Sequence, residues 1–251
     1  MSLFRYASPA SFYSLAGRLV PWFAALAALL GAVGLYLGLV AAPVDFQQGE
    51  VYRIIFIHVP AAWMGMFIYL LMAMYGIFAL TFNTRLSSMM MEALAPTGAM
   101  FTALALWTGA LWGKPTWGTY WVWDARMTST LILLFLYVGY LALVNAIEDK
   151  KRADKAGALL AIVGSVNVPI IYFSVRWWNT LHQGSSVSAG SSKMASVMLM
   201  AMLVTTFACW AYAIAVALAR VRAIIIEREH NAAWVKNLRG DTALPHEGNP
   251  A

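Results

Sequence analysis

Charge is scarce in this sequence. Of 251 residues, 17 are Lys or Arg and 11 are Asp or Glu, 11% together against 61% hydrophobic. With a mean hydropathy of +0.68, that composition excludes a soluble globular domain. Cysteine is nearly absent: Cys209 stands alone, which rules out an intrachain disulfide and a cysteine metal cluster and leaves a small buried hydrophobe. No segment repeats at a fixed period. A cleavable signal is also missing from the pattern, because Met1 to Gly17 is mixed and polar and the first apolar run exceeds the ~7–15 residues of a signal core; that run is expected to be a retained anchor. The methionines of "SSMMM" and "MLMAM" read as packing residues between helices rather than thioether ligands.

Long apolar runs are abundant. Stretches without Asp, Glu, Lys or Arg cover Leu19–Val44, Ile54–Thr84, Ala93–Gly113, Met127–Ile147, Ala156–Val175 and Met194–Ala219. Each reaches the ~20 residues a helix needs to cross a ~30 Å hydrocarbon core, and open strands cannot satisfy their backbone in lipid. The expected fold is therefore all-α and polytopic, with six transmembrane helices. With six spans, twelve of the seventeen basic residues fall on the side of the termini, including the "EDKKRADK" cluster, and Arg53, Lys114, Arg126, Arg176 and Lys193 fall on the other. The positive-inside rule then places both termini in the cytoplasm. The net charge of +6 is accounted for by topology against the anionic lipid bilayer and calls for no nucleic acid. Residues 1–225 are expected to form the membrane domain, with an outward tryptophan-rich loop at 113–126 between helices 3 and 4. Residues 226–251 are expected to form a polar cytoplasmic tail, in which His230 and His246 are solvated.

Three outward loops hold the informative residues. "IHVPAAW" puts His58 two residues before Pro60, a residue tolerated in the first turn of a helix, so His58 is expected at the outer mouth of helix 2. "WWNTLHQG" puts His182 on the same side, after helix 5. Between them in sequence lies "PTWGTYWVWDARMTS", residues 115–129, which concentrates Trp117, Trp121 and Trp123 with Tyr120. Trp117, Trp121, Asp124 and Thr128 recur at helical spacing, which predicts a short helix in the interface. An aromatic belt would spread such residues over all helix ends. Indoles gathered in one loop instead suit a large, flat, apolar ligand, and haem fits. Haem also takes axial imidazoles, for which His58 and His182 are the candidates, and cations for its propionates, for which Arg53, Arg126 and Arg176 are the candidates. Asp124 is expected to orient, either pairing with Arg126 or accepting from an imidazole N–H.

These motifs carry a family resemblance. "WGTYWVWDAR" is similar to the tryptophan-rich WWD signature, W-G-x-x-W-x-W-D, of the haem-handling proteins of cytochrome c maturation. "IHVPAAW" and "WWNTLHQG" resemble the two histidine segments of that family's shortest branch, the haem exporter C proteins of the bacterial multi-component system. The resemblance runs from about Tyr52 to Arg220. It implies six helices in the bacterial inner membrane and haem b held at the periplasmic face. It also implies His58 and His182 as axial ligands, with Trp117, Trp121, Trp123 and Asp124 in the signature. Further implications are loading of a membrane-anchored haem chaperone, a small single-span membrane partner and an association with ATP-binding cassette subunits. The expected role is presentation of haem rather than enzymatic catalysis. Two alternatives stay open: a terminal haem lyase, whose larger relatives carry further histidines within the membrane, and a haem permease, for which the polar content of the spans is thin.

Overall fold

The computed structural model describes residues 7–182, 187–188, 191–192 and 194–240. Six apolar helical segments are long enough to cross a membrane, and the protein is a polytopic all-α membrane protein. Arg5, Lys193, His246 and the tail from residue 241 lie outside the described residues.

Helix α1 (Pro9–Tyr36) starts on Ser8, whose side chain accepts from the Ser11 N–H with Pro9 in the first turn, and ends in a π turn at Leu37–Ala41. A 3-10 turn at Glu50–Ile54 leads without a break into α2 (Ile55–Phe82). A tight turn through Asn83, in the left-handed region at φ 51°, reverses the chain into α3 (Arg85–Trp117). After the loop follow α4 (Ala125–Ala146), then α5 (Lys150–Gly164) and α6 (Asn167–Trp177), which share the fifth span. The last span is α7 (Ser196–Arg228), and a short α8 (Ala233–Arg239) follows it. Besides an isolated Asp45–Gly49 bridge, the extended pairing among the described residues is one two-residue antiparallel ladder, Val187–Ser188 with Ser191–Ser192.

The antiparallel α2 and α3 form the centre, with α4, α5 and α6 on one flank and α7 on the other; α1 packs almost wholly along α7. At ~1.5 Å per residue, the 33 residues of α3 span about 50 Å, so its ends project beyond a ~30 Å hydrocarbon layer. With an even number of crossings, the α3–α4 loop, the start of α2 and the end of α6 all lie at one end of the bundle. The start of α1 and the end of α7 lie at the other.

The fifth span is two helices where the apolar run predicts one. Pro169, third in α6, has no N–H for the Ser165 carbonyl, and that carbonyl accepts from Val168 N–H at 3.1 Å instead. The break leaves Asn167 free to donate to the Ser129 carbonyl at 2.8 Å, tying α6 to α4. Beyond the expected domain boundary at 226 the chain stays helical. Val235 of α8 is buried, and Trp234 packs on Tyr13 at 5.7 Å.

The centre is closed by buried tyrosines whose hydroxyls need partners in an anhydrous interior. Tyr137 on α4 donates to the Gly65 carbonyl of α2 at 2.7 Å, and Tyr69 stands edge-on to it at 5.0 Å. Gly98 on α3 makes room for that ring: a β-carbon there would lie 2.2 Å from the Tyr137 hydroxyl. Gly98→Ala is therefore expected to cost about 1–3 kcal/mol by overpacking and to lower the thermal midpoint of the detergent-solubilised protein. An unchanged midpoint would show that the ring can step aside.

Candidate functional site

Helix α3 ends because Gly118 takes φ 80°, where its N–H reaches back to the Lys114 carbonyl at 3.0 Å. Helix α4 begins because Asp124 is extended and its Oδ1 accepts the Met127 N–H at 2.8 Å. Between them, residues 118–124 are not helical. The expected interfacial helix is thus absent: Trp117 closes α3, Asp124 caps α4, and the glycine and the cap together forbid a continuous helical face through Trp121. The loop is shorter than predicted because both helices run on into it.

Pro60 is likewise not in a first turn. It is the sixth residue of α2, because the preceding 3-10 turn starts the helix early, and the Phe56 carbonyl consequently has no N–H from Pro60. His58 still lies in the opening turn of α2. Its Nδ1 is 3.0 Å from Thr108 Oγ1 on α3. The Thr108 hydroxyl has one proton; donated to the Leu104 carbonyl at 2.7 Å, its shortest contact, it leaves Oγ1 to accept from His58. In that arrangement the imidazole proton sits on Nδ1. The ring also meets the edge of Trp112 at 5.6 Å, and Trp112 donates its Nε1–H to Gln48 Oε1 at 2.7 Å.

His182 repeats the pattern with different partners. Its Nδ1–H donates to Asp124 Oδ2 at 2.8 Å, and its ring meets the edge of Trp117 at 4.8 Å. Burial pushes the His182 pKa below the ordinary imidazole value; the Asp124 hydrogen bond and charge oppose this, and the Arg126 charge adds to it. Among the described residues, no hydrogen bond engages the Nε2 of either histidine.

Both rings line one pocket, partly open to solvent, with Arg126, Gly109 and Thr130 beside them and apolar side chains from α2, α3, α4 and α6 behind. Gly109 lets His58 lie against α3, since a β-carbon there would come within 3.0 Å of the ring. The loop aromatics divide. Trp121 and Trp123 meet edge to face at 5.3 Å; Trp123 and Tyr120 are exposed, 75% and 55%; Trp121 is half-buried, and its buried Nε1–H has no acceptor among the described residues.

Of the three cations predicted for an anionic ligand, only Arg126 joins the histidines. Arg53 is held by Glu50 and by the Gly38 carbonyl at 2.9 Å, where it ties the π turn after α1 to the start of α2. Arg176 is exposed beside Phe173. Asp124 takes the imidazole partner of its two candidates. Sequence reasoning missed Thr108, Gly109, Gln48 and Trp112; the four-residue step from Thr108 to Trp112, one face of α3 turned to the site, was the available signal.

Residues 2–236 match the sequence profile of the family described as "Heme exporter protein C". The chain belongs to the haem exporter protein C family. It is 46% identical over 229 residues to the "Heme exporter protein C" of Bradyrhizobium diazoefficiens, covering 91% of this chain and 87% of that one. It is 43% identical over 237 residues to that of Escherichia coli K12, covering 94% and 96%. Against that of Paracoccus denitrificans it is 40% identical over 230 residues, covering 91% and 95%. The family match at residues 2–236 takes in all six spans and the loops between them.

Proposed function

We propose that this protein handles haem in cytochrome c maturation. It would bind haem b at the periplasmic face of the inner membrane through His58 and His182 and present it to a membrane-anchored haem chaperone. One observation carries the reading: two imidazoles from distant segments line one pocket, each with Nδ1 engaged by an oxygen and Nε2 left as the available ligand nitrogen. The donor set suits a porphyrin-bound iron. Among the described residues no group of three His, Cys, Asp or Glu could hold a bare ion, whereas a haem iron brings four nitrogens and asks the protein for axial ligands only.

The surroundings fit the same cargo. Arg126 supplies a cation for a propionate, and the unpartnered Trp121 N–H is a donor that a carboxylate could satisfy. Trp117 and Trp112 fix the imidazole edges, and the exposed Trp123 and Tyr120 offer apolar area at the rim. Arg53 and Arg176 have no such position. A pocket open to solvent favours transfer to a partner, because one face of the cargo stays accessible to a competing imidazole. A small single-span protein and ATP-binding cassette subunits are the proposed partners. A terminal lyase or a permease finds no specific support in the geometry.

Haem titrated into the purified protein should give the low-spin spectrum of bis-imidazole ligation; no spectral change would remove the reading. The pH dependence has a definite sign. Protons compete with iron for an imidazole only below its pKa, and for His182 that lies beneath the ordinary value. Retention should therefore hold through neutral pH and fall as pH drops through that lowered pKa. Removing the Arg126 charge in Arg126→Gln should raise the His182 pKa, so that loss begins at a higher pH.

A further inference from the structure

At the end of the bundle opposite the histidines lies an open basin between the α2–α3 turn, the start of α5, the end of α7 and α8. Its charges are unbalanced. Arg228 is satisfied by Asp154, two contacts at 2.9 Å, and by Glu92. Arg85 reaches Glu229 at 3.3 Å. Lys150, Lys151, Lys155 and Arg239 also line the basin, and none has an ion-pair partner among the described residues; Glu227 is the one remaining carboxylate in the lining.

The N-terminus of a helix carries partial positive charge and favours acids. α5 meets this with Asp149, whose carboxylate accepts the Arg152 N–H at 2.8 Å, but the three residues after that cap are all basic. α3 opens on Arg85 with no side-chain cap and no acid in its first turn. The unpaired Lys150, Lys151, Lys155 and Arg239 repel one another around one cavity until an anion enters. Positive-inside topology accounts for basic residues at this end but not for their convergence on a cavity.

The remaining wall identifies the anion's class. Ala79, Leu80 and Met89 line the same basin, and beside it the last turns of α2 expose Phe78 (40%), Leu80 (38%) and Phe82 (67%). A cationic floor that continues into an apolar, lipid-facing helix surface suits an amphiphile whose phosphate meets the lysines while its chains run along α2. We infer that this basin is a binding site for an anionic phospholipid. The inference stands independently of the haem reading.

The test uses the full-length protein in neutral detergent with added phosphatidylglycerol or phosphatidylcholine of the same chains, reading retained lipid by native mass spectrometry together with the thermal midpoint. Phosphatidylglycerol should stay bound and raise the midpoint, and phosphatidylcholine should do neither. Each neutralised lysine should weaken retention about fivefold, so the triple variant Lys150→Gln, Lys151→Gln, Lys155→Gln should lose it by roughly a hundredfold. Lysine-to-arginine changes at the same three positions should keep it, and Lys114→Gln at the far end should leave it unchanged. Should the triple variant not fold, Arg239→Gln on the terminal helix is read alone. Equal retention by the neutralised protein, or equal binding of phosphatidylcholine, would overturn the site. Full stabilisation by inorganic phosphate alone would overturn the lipid and leave a soluble-anion pocket.

Discussion

Replacing either His58 or His182 with alanine is expected to lower haem affinity by more than about 100-fold, since even partners one shell out from a metal ligand cost about 10–100-fold. The residual complex should shift from a low-spin to a high-spin, five-coordinate spectrum. The two variants should differ in their effect on the fold. In His58→Ala, the Thr108 hydroxyl keeps its bond to the Leu104 carbonyl, so no buried group is stranded and the thermal midpoint should hold. In His182→Ala, Asp124 keeps its capping bond to Met127 but loses the partner of Oδ2 at a position only 9% exposed. An unsatisfied buried acceptor costs about 1–3 kcal/mol, so this variant should also melt earlier. Added imidazole, which can occupy the vacated space and ligate the iron, should restore the low-spin spectrum in both. Unchanged absorption in both variants would eliminate axial ligation by these residues.

The membrane architecture was legible because lipid acts on sequence in a simple way: a run without charge must span, and each run lies within or close to one of the six observed spans. The gathering of His58, His182 and the tryptophan loop at one end followed from counting crossings. Local backbone chemistry was harder to read. Trp117, Trp121, Asp124 and Thr128 have helical spacing, but Gly118 at φ 80° and the Asp124 cap outweigh that pattern. Long-range partners were harder still. Trp112 finds Gln48 64 residues away, and Arg53 finds the Gly38 carbonyl exposed by a π turn. No periodicity marks such a pair, and so Arg53 and Arg126 looked alike in the sequence although only one of them faces the histidines. The basic cluster at the start of α5 was visible from the outset, but its convergence with Arg239 is a property of the fold.

Asp124→Asn isolates the second large effect. Asp124 performs two functions from one carboxylate: Oδ1 caps α4 through Met127 N–H, and Oδ2 accepts the Nδ1–H of His182. Asparagine can keep the cap through its carbonyl oxygen, so the helix and the overall stability should change little. Its amide nitrogen then faces His182 Nδ1, and two donors cannot share a hydrogen bond. The imidazole relieves the conflict by moving its proton to Nε2, and a protonated Nε2 cannot ligate iron. The substitution should therefore cost about 10–100-fold in haem affinity and produce a His182→Ala-like spectrum while the thermal midpoint stays near that of the parent. Asp124→Ala removes the cap as well and should add about 0.5–2 kcal/mol of destabilisation. An Asn variant that binds haem as tightly as the parent, with an unaltered spectrum, would show that the carboxylate only caps α4 and that the tautomer of His182 is set by something else.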